Sequence, residues 1–454
     1  MNRLAIVILA LFTLSACNDD GPTVSSQTTP DGTAYRLITL PGHEYVSIQI
    51  AWASDWAYRP DTHKAAAVVG TELILAGGAA DYPAGEVMER FADLDSEGSI
   101  YISANDHVIG ELTFAPEHIA ETVDIANAHL RAPTLDPVWF DRIVTGTAQN
   151  LAEAQSQLAH AGFDALRWAV FGTQPLRNAL SLDDPDTFAS LTRDDVVVWH
   201  QETFTRTPDA ITVAGDITAT AAGDALDKLL AGLPGAQRQR LGEATPDFRP
   251  RRILLHVPTA QVTTLAFVGP LPPTAQGGEM EDVILIQALG GDDQSALFNA
   301  VRTELRASYG FGAGTGNYSR AHRILFMTGE VETTRLAAAE SVVRNAYAAF
   351  LTDGPHGALE DWKKPLQAHF AEMPEYVVDQ ARSELQAALD GFAPGTSLGL
   401  AEVVQAVTRD SLLARLRDAF PAPDSLIVVA TSADADALPG ACVITTPPAA
   451  ADCP

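Results

Sequence analysis

The strongest constraint on this chain is a structural plan that occurs twice. From Val46, the residues Val46, Ile48, Ile50 and Trp52 alternate with Ser47, Gln49 and Ala51, the period-two pattern of a half-buried strand. A loop through Pro60 leads to Ala65–Ala76, almost wholly apolar and ended by Gly77-Gly78, which predicts a buried helix with a glycine stop. A second helix follows, with Val87, Met88, Phe91 and Leu94 on one face. About 215 residues downstream the order recurs. Leu265 and Phe267 lie in a strand, Asp282 to Leu289 form an apolar helix, Gly290-Gly291 stop it, and Ser295 to Arg306 begin another helix with Leu297, Phe298 and Val301. Repetition at this spacing implies a duplicated domain, not a short-period solenoid.

The remainder of each half alternates long amphipathic helices with strands. Ile119, Val123, Ala126 and Leu130 follow helical spacing after Pro116, and Thr192 with Asp195 has the spacing of a capping box before Val196 to Trp199. Ile211–Gly215 and Leu426–Ala430 read as strands, and helices are predicted near 333–351, 375–390 and 400–419. The fold class is therefore α+β: two homologous domains, each a mostly antiparallel or mixed sheet packed with long helices. Their extents are 31–235 and 251–437, with a Pro- and Arg-bearing linker at 236–250 and a Pro/Ala-rich tail at 438–454.

Composition narrows the partners. With 29 Lys+Arg against 58 Asp+Glu, the formal charge is −29, which excludes nucleic acid, whose recognition needs a basic surface to release counterions. The N-terminus reads as an address. Arg3, an apolar run from Leu4 to Leu14, and Ser15-Ala16 precede Cys17, a secretory signal too short to be a spanning helix. Leu14-Ser15-Ala16-Cys17 looks like a bacterial lipobox, which makes residues 1–16 a removable signal, Cys17 a lipid attachment site, and 17–30 a flexible tether. That places the chain on the periplasmic side of the envelope, anchored by lipid, with Asn18 after the cysteine pointing to the outer membrane over the inner. Cys442 and Cys453 remain, eleven positions apart, either as a disulfide in an oxidising compartment or as two free thiols.

The chemical motifs that stand alone fail in context. Gly395-Thr396-Ser397-Leu398-Gly399 matches a nucleophile elbow but follows a helix where a strand is required. The run Gly310 to Gly316 lacks the strand-to-helix setting of a dinucleotide loop and reads as a strand or loop approached closely by another backbone. The eleven histidines are so spread that no two fall within ten positions, which rules out a helical zinc site built from two histidines one turn apart.

Together these pieces resemble the insulinase-like (pitrilysin) zinc peptidases, in their short bacterial and processing-peptidase form with two homologous domains per chain. The resemblance runs through the opening strand, the 65–76 helix, Gly98-Ser99-Ile100 to Asn105-Asp106, Phe171-Gly172-Thr173-Gln174-Pro175, and Leu289 to Phe298 leading into Val301-Arg302. Active members carry H-x-x-E-H on the first apolar helix and a glutamate ligand downstream. Here the helix reads Val69-Gly70-Thr71-Glu72-Leu73. Val69 and Leu73 take the ligand positions, Glu72 that of the base, and the downstream ligand falls near Asn150, with Glu153 close by. Hydrocarbon side chains cannot coordinate zinc, so the resemblance implies a chain that binds no cofactor and is inactive alone. Glu72 is then either a vestige beside the chamber or an ordinary polar helix residue.

The family's second domain supplies an arginine and, seven residues on, a tyrosine that bind the substrate backbone, and Arg302 and Tyr309 have that spacing. Some relatives divide the labour, one chain holding zinc and the other the arginine–tyrosine pair. The resemblance thus implies a zinc-free subunit of a heteromeric metallopeptidase, whose partners are a zinc-bearing homologous subunit, extended peptide substrates and, through the lipid, a membrane. The alternative is a pseudoenzyme that binds peptides or supports assembly in the envelope.

Overall fold

The computed structural model describes residues 21–183, 186–235, 241–305 and 310–454. The signal segment with Cys17, and Tyr309, lie outside the described residues. Two six-stranded sheets form the framework. The first contains β1 (Thr23–Thr28), β2 (Ala34–Thr39), β3 (Val46–Ala53), β4 (Ser96–Ser103), β5 (His107–Phe114) and β6 (Ala210–Gly215), in the order β1-β2-β6-β3-β5-β4. The second contains β7 (Arg252–His256), β8 (Thr263–Leu271), β9 (Phe311–Ser319), β10 (His322–Val331), β11 (Ile427–Ser432) and β12 (Cys442–Ile444), in the order β12-β7-β11-β8-β10-β9. The five strands from β2 to β6 thus have counterparts β7 to β11 in the same spatial order. Both sheets are mixed, because β2 runs parallel to β6 and β7 parallel to β11 while β3 and β8 pair antiparallel to their neighbours.

The sixth position of each sheet is filled differently. β1 precedes its neighbour in the chain and pairs with β2 antiparallel, so residues 23–28 of the segment read as a tether form an edge strand. Its sequence, TVSSQT, is mostly polar and has no apolar alternation to announce it. β12 comes from the C-terminal tail and lies parallel to β7, and Cys442 at its start is disulfide-bonded to Cys453, with Cα atoms 5.8 Å apart.

Each half lends a helix to the other. Val377–Leu389, from the second half, lies across the first sheet: Val377 and Ala381 pack on Ile38, Leu40 and Ala214, and Leu385 on Ala51 and Ile109. These are residues i, i+4 and i+8, the single apolar stripe a helix needs to cover a sheet. Leu158–Phe171, from the first half, lies across the second sheet, with Phe171 edge-on to Tyr318 at 5.1 Å and Phe163 edge-on to Phe326 at 6.2 Å. This exchange explains a departure from the expected half-buried strand. All eight residues of β3 are buried, because Ser47, Gln49 and Ala51, on the face that would meet water in an isolated half, lie under the 377–389 helix. Gln49 donates to Glu111 Oε2 (2.8 Å) and Val378 O (3.3 Å).

The glycine-rich run forms edge strand β9, where Gly290, at the end of helix Glu279–Gly290, lies so close to Ala313 and Gly312 that no Cβ fits. The Ser397 motif sits in a short 3-10 turn between helices; Ser397 donates to Glu384 Oε2 (2.5 Å) and accepts from Gln380 (2.6 Å). Arg36 of β2 holds the other oxygen of the buried Glu384 at 2.7 Å, so the motif belongs to the joint between halves.

Candidate functional site

The site is set by how helix Lys64–Ala76 ends. Gly77 and Gly78 stop it, Gly78 with φ 75°, and their carbonyls accept from Asp136 N (3.2 Å) and Thr134 N (2.8 Å). Those bonds fix the entry to helix Pro137–Gln155. Asp136 caps it by accepting from Val138 N and Trp139 N at 2.9 and 3.1 Å, with Pro137 in the first helical position. The two helices consequently pack side by side. On the opposite flank, Gly70 leaves space that the Trp199 ring fills, which presses the 64–76 helix against helix Arg193–Thr203. The latter starts with the Thr192–Asp195 capping box.

Between the first two helices is a cleft of about 650 Å³. Glu72 and Asn150 both line it, together with Trp139, Asp141, Arg142 and Gln149. Glu153, one turn further along the same helix, is not among its lining residues. Glu72 is exposed, whereas Val69 and Leu73 are wholly buried in the hydrophobic core. The Arg142 guanidinium lies 4.7 Å above the Trp139 ring, a contact that orients the arginine at the cleft mouth. Sequence reasoning missed Trp139 and Arg142. No motif marks them; in the fold Trp139 packs on Gly85, with φ 84°, where a Cβ would meet its ring at 2.6 Å.

The residues present do not fit zinc. The two positions that require lone-pair donors hold hydrocarbon, which leaves only the Glu72 carboxylate and the Asn150 amide at the motif positions, where a catalytic zinc site uses three protein ligands. Among the described residues no group of three or more His, Cys, Asp or Glu side chains is placed to hold a metal.

Arg302 lies in the second half on a π-helical turn, Val301–Leu305, that continues the helix Ala296–Ala300. It is exposed, and its guanidinium stands 5.4 Å from the Phe298 ring. π-turns of this kind re-aim side chains and often accompany functional positions.

Residues 190–360 match the family model described as the peptidase M16 inactive domain. Over that stretch the chain is similar to an M16 inactive domain. The M16-like fold extends over nearly the whole chain. An M16 inactive-domain structure from Pseudomonas fluorescens aligns with a TM-score of 0.78 at 15% identity, over 90% of this chain and 98% of that one. A protease from Helicobacter pylori aligns at 0.74 and 13% identity, over 90% and 100%. The periplasmic protease PqqL from Escherichia coli aligns at 0.68 and 15% identity, over 94% of this chain but 50% of its own. At such identities the likeness speaks for the fold. No curated protein matches the sequence.

Proposed function

We propose that this chain is the zinc-free subunit of a heteromeric metallopeptidase, with Arg302 and Tyr309 completing the active site of a zinc-bearing partner. The observation that carries the reading is the cleft of the 64–76 helix, where Glu72 and Asn150 stand together but Val69 and Leu73 replace both imidazole positions. A chain that keeps the architecture and lacks the ligands cannot activate water by itself. Its span of half the E. coli protease suits one half of a larger peptidase. Guanidinium and phenol donors would hold the backbone of an extended peptide and stabilise the oxyanion formed during hydrolysis. The signal-like N-terminus, with Cys17 as lipid attachment site, and the Cys442–Cys453 bond support a periplasmic, membrane-anchored location.

The test is to mix the purified chain with a zinc-bearing homologue encoded beside it and assay peptide cleavage. Arg302→Ala and Tyr309→Phe should each lower kcat of the mixture by about a hundred-fold, as loss of an oxyanion donor does. Unchanged activity of both variants would end the shared-site reading. A mixture that binds peptides but never cleaves them would favour the pseudoenzyme.

A further inference from the structure

A second cavity, of about 640 Å³, opens between the two halves and shares no residue with the Glu72 cleft. Its volume is in the range that small organic ligands occupy. Ser103 and Ala104, at the β4–β5 turn, come from the first half, and the apolar wall of Met280, Val283, Phe370, Leu400 and Val403 from the second. Four charged side chains line it: Glu279, Glu281, Arg320 and Asp390. Two of them neutralise each other. Arg320 Nη2 is 2.5 Å from Asp390 Oδ1, its Nη1 donates to Gln386 Oε1 at 2.6 Å, and Thr274 Oγ1 donates to the other Asp390 oxygen at 2.7 Å.

The two glutamates have no such partner. Neither makes a hydrogen bond or ion pair among the described residues. Of the arginines that act on them, Arg320 is paired with Asp390, and Arg323 and Arg415 share the single buried carboxylate of Asp282, at 2.5 and 2.8 Å, so one guanidinium charge stands against two glutamates and one negative charge is left over. Glu279 is exposed, yet its carboxyl pKa is raised, chiefly by desolvation; Arg323 and Arg320 oppose the rise, and Asp390 and Asp282 add to it. The guanidinium groups around it offset only part of that cost.

We propose that the inter-half cavity binds an amphipathic organic monocation, a protonated amine on a hydrocarbon body, with Glu279 meeting the ammonium and Phe370, Leu400 and Val403 covering the hydrocarbon. The chemistry follows from the lining: the surplus negative charge selects a cation, the apolar wall selects one with a hydrocarbon portion, and the other two charged groups, Arg320 and Asp390, neutralise each other. The site does not depend on whether a zinc-bearing partner exists.

The probe is n-hexylammonium, with n-hexanol as the uncharged match, titrated into the full chain while the labelled Met280 methyl is followed by NMR. Binding should be in the millimolar range or tighter, the alcohol should bind at least ten-fold more weakly, and Glu279→Gln should lose about ten-fold in affinity. Val403→Trp, at a position 46% exposed on the cavity rim, should block the site while leaving the fold intact, and it decides the matter if Glu279→Gln does not fold. Equal binding of amine and alcohol, no amine binding, full affinity in folded Glu279→Gln, or full affinity in Val403→Trp would each overturn the proposal.

Discussion

Replacing Val69 and Leu73 by histidine and Asn150 by glutamate asks whether the cleft of the 64–76 helix is a metal site that lacks its ligands. Val69 and Leu73 are 0% exposed, and burying a valine or leucine contributes about 1.5–3 kcal/mol. The metal-free Val69→His/Leu73→His/Asn150→Glu variant should therefore lose about 3–6 kcal/mol, and more if an imidazole N–H finds no acceptor. Zinc at a hundred times its dissociation constant returns about 2.7 kcal/mol, and at a thousand times about 4.1. Chemical denaturation with zinc and with a chelator should thus show a metal-dependent gain in the variant and none in the parent chain. The double variant that keeps Asn150 isolates the third ligand, and it should bind zinc more weakly than the triple. A folded triple variant that zinc does not stabilise would refute the placement of Val69, Glu72 and Leu73 at the motif positions. A double variant that binds zinc as tightly as the triple would refute Asn150 and transfer the role to Glu153.

Two further outcomes concern stability. Leu385→Ala removes a wholly buried side chain that spans the halves and should cost about 2–5 kcal/mol. Hydrogen exchange should quicken in β3 and β5 as well as in the 377–389 helix, and a loss of protection confined to that helix would contradict the coupling. Lys64 is buried, donates to the carbonyls of Trp56 and Arg59 and to Thr62, and desolvation lowers its ammonium from 10.5 to about 8. Between these values the unfolded chain holds a proton that the folded chain has released, so stability rises with pH across the window, by up to about 3 kcal/mol. Denaturation midpoints across that range measure the rise, and Lys64→Met should flatten it.

Local signals were legible and distant ones were not. The 64–76 helix and its glycine stop, the Thr192–Asp195 box, and the 279–290 helix follow from residues within a turn or two of each other. The burial of β3 does not, because its second face is covered by residues more than 300 positions later. β1 escaped notice for another reason: a mostly polar edge strand is held by backbone pairing, which leaves no side-chain pattern. At the site, Glu72 and Asn150 were placed through family resemblance, and the helix packing brings them to one cleft. Trp139 and Arg142 had no motif to mark them. The spacing of Arg302 and Tyr309 was readable, but Tyr309 lies outside the described residues.

The crossed helices bear on biosynthesis. When β6 leaves the ribosome, the first sheet has all its strands, but Ile38, Leu40, Ala51 and Ile109 still lack the helix that will cover them. That helix begins at Val377, and at roughly 5–20 residues per second its synthesis lags by about ten to thirty seconds. Throughout that interval an apolar sheet face is open to wrong partners, including the same face of another nascent chain. The first half therefore cannot complete its folding as an autonomous N-terminal unit, and a chaperone that shields this face until the helix arrives would raise the yield more than one acting on the finished chain.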